Sequence, residues 1–323
     1  MLDASLLANL ELKLGSVIVN ALSDPEVVEI MVNPDGKIWI ERFGSMAHSG
    51  QLAPLDARTV VRLVASALDQ VATAENPLIE GELPLDGSRF EGVFPPVASA
   101  PSFTIRKKAG RIFSLEEYVD AGIMPRIVFE SIIHAIGERK NILVVGGTGS
   151  GKTTLVNAIV QHLAVDCPDD RLVVIEDTSE LQIASPNAVC LRTTPFITAQ
   201  NLVRATMRLR PDRILVGEVR DGTALDLLKS WNTGHPGGVA TVHANSAIGG
   251  LQRMQDLISE VSMTPMHRLI GEAVDMTIFI RRAPGVGRRI TQAVIVKEFD
   301  LATQMFVTEC IHDEEKPSLA LAS

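Results

Sequence analysis

Apolar positions recur every three or four residues along the start of the chain: Leu6, Leu10, Leu14, Val17, Ile18, Ala21 and Leu22. That spacing lines one face of a helix, and Asp24-Pro25 ends it because proline cannot continue a helix. The rhythm then changes to two β-rich runs, 27–32 and 37–43, joined by Asn33-Pro34-Asp35-Gly36, which read as a hairpin. A second helical stretch is expected over 56–71, with Asp56 as its N-cap and Val60, Val61, Leu63, Val64, Ala67, Leu68 and Val71 facing inward. Strand-like runs at 87–93 and 102–107 flank the rigid Phe94-Pro95-Pro96 bend. Residues 1–107 thus read as a small α+β domain.

From Arg126 the pattern is different. A helix to about Glu138 precedes a wholly apolar strand at 142–145, and further apolar strands at 172–175, 189–192, 214–216 and 239–242 alternate with helices. Near-continuous apolar strands separated by helices imply a parallel sheet buried on both faces. The runs 276–281, 288–298 and 305–311, with turns at 284–287 and 302–304, read instead as an antiparallel meander. The expected organisation is α/β: an N-terminal α+β domain (1–107), a linker (108–124) carrying a basic glycine turn and a short helix from Ser114, a larger C-terminal domain (125–312) and a frayed tail (313–323).

Composition adds little to this, but excludes some functions. With 46% apolar and 21% charged residues among 323, disorder and fibrous repeats are excluded. Thirty Lys plus Arg against 39 Asp plus Glu give a net charge of −9, a poor match for a protein that coats DNA. Cys167, Cys190 and Cys310 are too few and too scattered for a disulfide framework, which favours a reducing, cytosolic compartment. No apolar run approaches 18 residues, and the N-terminus lacks the basic region of a signal peptide. The first helix suits core packing or a subunit contact. Membrane contact is the alternative, weakened by its single Lys among acids.

The chemistry starts after the strand at 142–145. Gly146-Gly147-Thr148-Gly149-Ser150-Gly151-Lys152-Thr153-Thr154 matches the phosphate loop G-x-x-x-x-G-K-[ST], with an apolar strand before it and a helix after it. Its glycines let backbone N–H groups converge on an anion, and the following helix adds its positive end. Lys152 is expected to reach the β- and γ-phosphates of ATP, and the Thr153 hydroxyl to ligate Mg²⁺. Hydrolysis also needs acids and a γ-phosphate sensor, and ligands gather at the carboxyl ends of parallel strands. Three such ends offer candidates. Glu176, in Glu176-Asp177-Thr178-Ser179-Glu180-Leu181, can hold Mg²⁺ through water or orient the attacking water; capping a turn is the alternative. Glu218, after Ile214-Leu215-Val216-Gly217, can act as general base; the acid usual one position earlier is replaced by Gly217, and a structural Arg–Glu pair is the alternative. His243, in Thr241-Val242-His243-Ala244-Asn245-Ser246, can sense the γ-phosphate or simply be a satisfied strand-end histidine. Neither His243 nor His235 has zinc-ligand spacing.

Together these motifs resemble the traffic ATPases of type II and type IV secretion systems, a RecA-like hexameric family. Met207-Arg208-Leu209-Arg210-Pro211-Asp212-Arg213-Ile214-Leu215-Val216-Gly217-Glu218-Val219-Arg220-Asp221 resembles its signature around Walker B, Glu176–Glu180 its Asp box and Gly238–His243 its His box. Asp24–Asn33, Ile38–Arg42, Gly87–Phe90 and Phe103–Lys107 resemble the N-terminal domain of its conjugation branch, and Ser230–Gly238 resembles that branch in particular. Three scattered cysteines cannot build the zinc module of type II export ATPases, and the A-I-R-N-L-I-R-E stretch of pilus-retraction ATPases is missing.

The resemblance implies a RecA-like P-loop C-terminal domain and an ATP-hydrolysing homo-hexamer. It implies a cytoplasmic protein, peripheral at the cytoplasmic face of the inner membrane, docking on membrane components of a conjugation machine. It places Arg89 and Arg106 against the nucleotide, with hydrolysis driving motion between the domains. A domain-interface salt bridge is the alternative for these arginines. No direct nucleic-acid contact is expected. A Flp or type IV pilus assembly ATPase, or a nucleotide-gated assembly module with little hydrolysis, stays open.

Overall fold

Among the described residues two separate sheets organise the chain: six strands in the unit Met1–Arg111 and eight in the unit Ile112–Ser323. The computed structural model describes residues 4–42, 45–108, 111–194, 196–283 and 287–315.

The first unit runs α1 (Ala4–Ser23), β1 (Val27–Val32), β2 (Lys37–Arg42), β3 (Ser45–Gln51), α2 (Pro54–Ala67), β4 (Leu78–Glu82), β5 (Arg89–Val93) and β6 (Ser102–Arg106). Every neighbour pair in the order β3-β2-β1-β6-β5-β4 is antiparallel. One face of this sheet carries Ile30, Ile38, Phe90, Phe103 and Ile105. It shares a core with Leu10, Leu14 and Ile18 of α1 and Val60, Val61 and Val64 of α2. Although no unbroken apolar run reaches 18 residues, α1 as a whole is long and apolar enough by composition to cross a membrane. Its buried stripe closes the core, while Leu12 on its other side is exposed. α2 starts two residues before the expected N-cap: Ala53 is the cap, Pro54 takes the first helical position and Asp56 sits in the first turn. There Asp56 accepts a bond from Lys13 Nζ at 2.8 Å.

The second unit runs α3 (Leu115–Asp120), α4 (Arg126–Gly137), β7 (Ile142–Val145), α5 (Lys152–Asp166), β8 (Leu172–Glu176), β9 (Ala188–Arg192), α6 (Ala199–Thr206) and β10 (Arg213–Val216). It continues with α7 (Thr223–Asn232), β11 (Val239–Val242), α8 (Ala247–Ser259), α9 (His267–Ala273), β12 (Met276–Ala283), β13 (Gly287–Asp300) and β14 (Met305–Asp313). The sheet order is β14-β13-β12-β7-β11-β10-β8-β9. From β12 to β9 the pairing is parallel, and only the β12–β13–β14 end is antiparallel. The meander is therefore not a separate element, since β12 pairs directly with β7. Each face of the sheet has its own core, as strands buried on both sides require.

The segment expected as a linker divides. Ser114 and Glu117 cap α3 reciprocally, at 3.2 and 2.8 Å. Leu115, Tyr118 and Met124 are buried in the core beneath α4 and α5. At the other end β14 runs through Asp313, and the Glu314 N–H donates to the Thr291 carbonyl at 2.9 Å. Residues 316–323 of the expected tail, and 284–286 of the expected turn, lie outside the described residues.

The Ser230–Gly238 signature belongs to the frame of the sheet. The buried Trp231 donates from Nε1 to the Ile214 carbonyl at 3.2 Å. A Cβ on Gly238 would stand 2.1 Å from that nitrogen and 2.4 Å from that oxygen, so only glycine fits. The Gly238 N–H donates to Asn141 Oδ1 at 2.9 Å, and Asn141 Nδ2 donates to the Ala273 carbonyl at 2.8 Å. Beside them the buried Arg213 bonds Asp170 at 2.6 Å. His235 lies 3.0 Å from the Pro211 carbonyl. All of this lies where the strands begin, at the end opposite the phosphate loop.

Candidate active site

β7 delivers the chain into the loop Gly146–Gly151 and α5 carries it away. Gly151 caps α5 at φ 100, a left-handed conformation that favours glycine. Lys152 opens the helix, is 8% exposed, and donates from Nζ to the Gly146 and Gly147 carbonyls at 3.0 and 3.1 Å. The same nitrogen lies 3.3 Å from His243 Nε2. Thr153 follows, and its hydroxyl donates to Glu180 Oε2 at 3.2 Å. Thr148 and Thr154 flank these contacts, and the Ser150 side chain is buried beneath the loop.

Glu176 ends β8 and is buried. Its Oε1 accepts the N–H groups of Glu180 and Leu181 at 3.0 and 2.9 Å. The carboxylate therefore anchors the loop that follows it, while Glu180 reaches Thr153. Gly217 makes room for this: a Cβ there would stand 2.9 Å from Glu176 Cγ and 3.3 Å from its Oε1. The acid missing from the end of β10 is thus supplied in space by β8. Asn157 of α5 completes the brace, accepting the Gln182 N–H at 2.8 Å and donating to the Glu180 carbonyl at 3.3 Å.

Glu218 has both oxygens engaged. Oε1 lies 2.6 Å from His243 Nε2, and Oε2 accepts from Arg220 Nε at 2.8 Å and Nη2 at 2.5 Å. Arg220 continues to Asp177 at 3.3 Å. The structure brings Lys152, Thr153, Glu176, Glu218 and His243 together at the ends of β7, β8, β10 and β11. The residue the sequence reading passed over is Glu180. It stood inside a quoted motif, but its reach depends on a loop folding back, which no residue spacing reveals. Among the described residues, no group of three or more His, Cys, Asp or Glu side chains could hold a metal. The Thr153 hydroxyl, an oxygen donor beside the Glu180 carboxylate, nevertheless suits Mg²⁺, which prefers oxygen ligands.

Arg89 and Arg106 stand in the first unit, directly opposite one another on β5 and β6. Glu29 of β1 lies opposite Arg106, and Glu82 of β4 opposite Arg89, so a charged row crosses the sheet. Burial pushes the Glu29 carboxyl above its ordinary range, while Arg106 beside it draws it back down.

Residues 13–309 match the family described as type II/IV secretion system protein. The chain belongs to this family. As a member of the type II/IV secretion family it is 50% identical over 295 residues to the probable conjugal transfer protein TrbB of Sinorhizobium fredii, covering 91% of this chain and 90% of that one. It is 29% identical over 314 residues to the type IV secretion system protein VirB11 of Bartonella henselae, covering 82% and 87%. Among solved structures it is similar in fold to the ATPase DotB of Legionella pneumophila, at TM-score 0.64 and 20% identity, covering 89% and 81%. The resemblance drawn from the motifs, including its conjugation branch, is the one these relatives show.

Proposed function

We propose that this protein is an ATP-hydrolysing traffic motor of a conjugation or type IV secretion apparatus, acting as a homo-hexamer at the cytoplasmic face of the inner membrane. Likeness to a conjugal transfer protein over nine-tenths of the chain supports the apparatus. The observation that carries the ATPase reading is the convergence on one loop of Lys152, the Thr153–Glu180 pair and the Glu218–His243 pair. Pure nucleotide binding needs only the first of these.

In this mechanism the N–H groups of Gly147–Thr154 and the Lys152 ammonium hold the β- and γ-phosphates. The Thr153 hydroxyl would hold Mg²⁺, which would supply charge neutralisation at the phosphate oxygens. Glu180, whose carboxylate is bonded by one hydroxyl, orients the attacking water and takes its proton. Glu218 keeps the His243 ring in place beside Lys152, where it reports the γ-phosphate. Arg89 and Arg106 are the first unit's contribution to the nucleotide, since two guanidinium groups side by side on β5 and β6 suit phosphate oxygens. Steady-state phosphate release tests the reading. Lys152→Ala should abolish turnover and weaken ATP affinity, and normal turnover in that variant would remove the loop from the mechanism.

A further inference from the structure

Read alone, Arg288-Arg289 is a solvated charge pair of a hairpin; strand pairing gives Arg288 another place. β12 runs parallel to β7 with Phe279 opposite Val145, where β7 ends. β12 continues and returns as β13, with Ile280 opposite Ile290, Arg281 opposite Arg289 and Arg282 opposite Arg288. Side chains alternate between faces along a strand. Ile280 and Ile290 are buried in the core that Leu155, Val156 and Ile159 of α5 help to build. Arg288, two residues before Ile290, shares that face and reaches the start of α5. The hairpin overhangs the phosphate loop. A Cβ on Gly146 would stand 2.4 Å from the Ile280 carbonyl oxygen, and one on Gly151 2.8 Å from Arg288 Cδ and 3.1 Å from its Nε.

Charge sets this arginine apart from its neighbours. Arg289 pairs with Glu314 at 3.2 Å, and Arg281 lies 3.7 Å from the same carboxylate. Arg288 makes no ion pair among the described residues, and stands at the positive end of α5 next to Lys152. A cation at a helix N-terminus opposes folding, and becomes favourable when an anion binds there. Burial pushes the Tyr118 hydroxyl up, and the Arg288 charge pulls it back.

The side of the loop matters. β11, β10 and β8, which carry His243, Glu218 and Glu176, lie on one side of β7, with β12 and β13 on the other. We propose that Arg288 is a nucleotide-binding residue that holds the α-phosphate end of ATP, on the flank of the loop away from the hydrolytic groups. This rests on the ATP site proposed above.

The test titrates the full chain with ATP and with ADP, for wild type, Arg288→Gln and Arg288→Lys, alongside steady-state phosphate release. Arg288→Gln removes the charge and keeps part of the stem against Gly151. Loss of one charge-assisted contact should weaken ATP and ADP alike by about tenfold and raise KM in step, with kcat within about twofold. Arg288→Lys should recover part of the affinity, and the nucleotide-free melting temperature of Arg288→Gln should stay level or rise. Unchanged affinities in Arg288→Gln overturn the proposal. So does a loss confined to ATP with a fall in kcat, which puts the arginine at the γ-phosphate. If Arg288→Gln does not fold, Arg288→Lys decides: a loss of about threefold or more for both nucleotides supports the proposal, and none overturns it. A wild type that binds neither nucleotide would sink the ATP site itself and this inference with it, whereas wild-type binding with an indifferent Arg288→Gln sinks this inference alone.

Discussion

Three acids meet near one lysine, and their hydrogen bonds divide the work among them. Glu176 spends an oxygen on two backbone N–H groups. Glu218 is bonded by His243 and Arg220, whereas Glu180 is bonded by the Thr153 hydroxyl. Glu180→Gln should therefore keep ATP binding and lose turnover by roughly 10²–10⁴, the range for removing a general base. Glu176→Gln should lose less than about tenfold, because a glutamine oxygen still accepts the Glu180 and Leu181 N–H groups. Single-turnover phosphate release with each variant separates them; a dead Glu176→Gln beside an active Glu180→Gln would reverse the roles. The sequence made Lys152, Thr153, Glu218 and His243 legible because each sits at a fixed offset from an apolar strand. Glu180 and Arg288 were not legible as site residues: one arrives through a folded-back loop and the other across a strand pairing.

At the scale of elements, the apolar strands of the second unit could be read because burial on both faces leaves an unbroken hydrophobic run. β3 could not. Ser-Met-Ala-His-Ser-Gly-Gln has no apolar alternation, and it is a strand because β2 offers it a free edge. α2 was shifted because Pro54 suits a helix start even without a side-chain cap. The Trp231–Gly238 contact shows how a family signature can be structural. Gly238→Ala would force its methyl into Trp231 and the Ile214 carbonyl, costing about 2–3 kcal/mol by overpacking. Denaturant unfolding should show that loss. An unchanged midpoint would mean that the indole has room to move.

At the scale of the whole chain, the change of rhythm between the two halves accompanies the division into Met1–Arg111 and Ile112–Ser323. The short helix expected from Ser114 inside the 108–124 linker is α3, and its Leu115 and Tyr118 are buried in the second unit's core. The role proposed for Arg106 can be tested in the intact protein. Arg106→Ala should leave the nucleotide-free melting temperature within a degree or two. It should shrink the rise caused by a non-hydrolysable ATP analogue, since that rise follows the ratio of ligand concentration to Kd. A full ligand-induced rise with full turnover would make the first unit a docking surface alone. The exchange between Gly217 and Glu176 has its own consequence, which is epistatic. Neither position can be judged without the other, because the space that one strand leaves open is the space its neighbour fills. Gly217→Ala should be costly in the wild type and nearly free once Glu176 is cut back to alanine. A double-mutant cycle would then return a coupling energy of about 1–3 kcal/mol between two strands whose motifs are usually read one at a time.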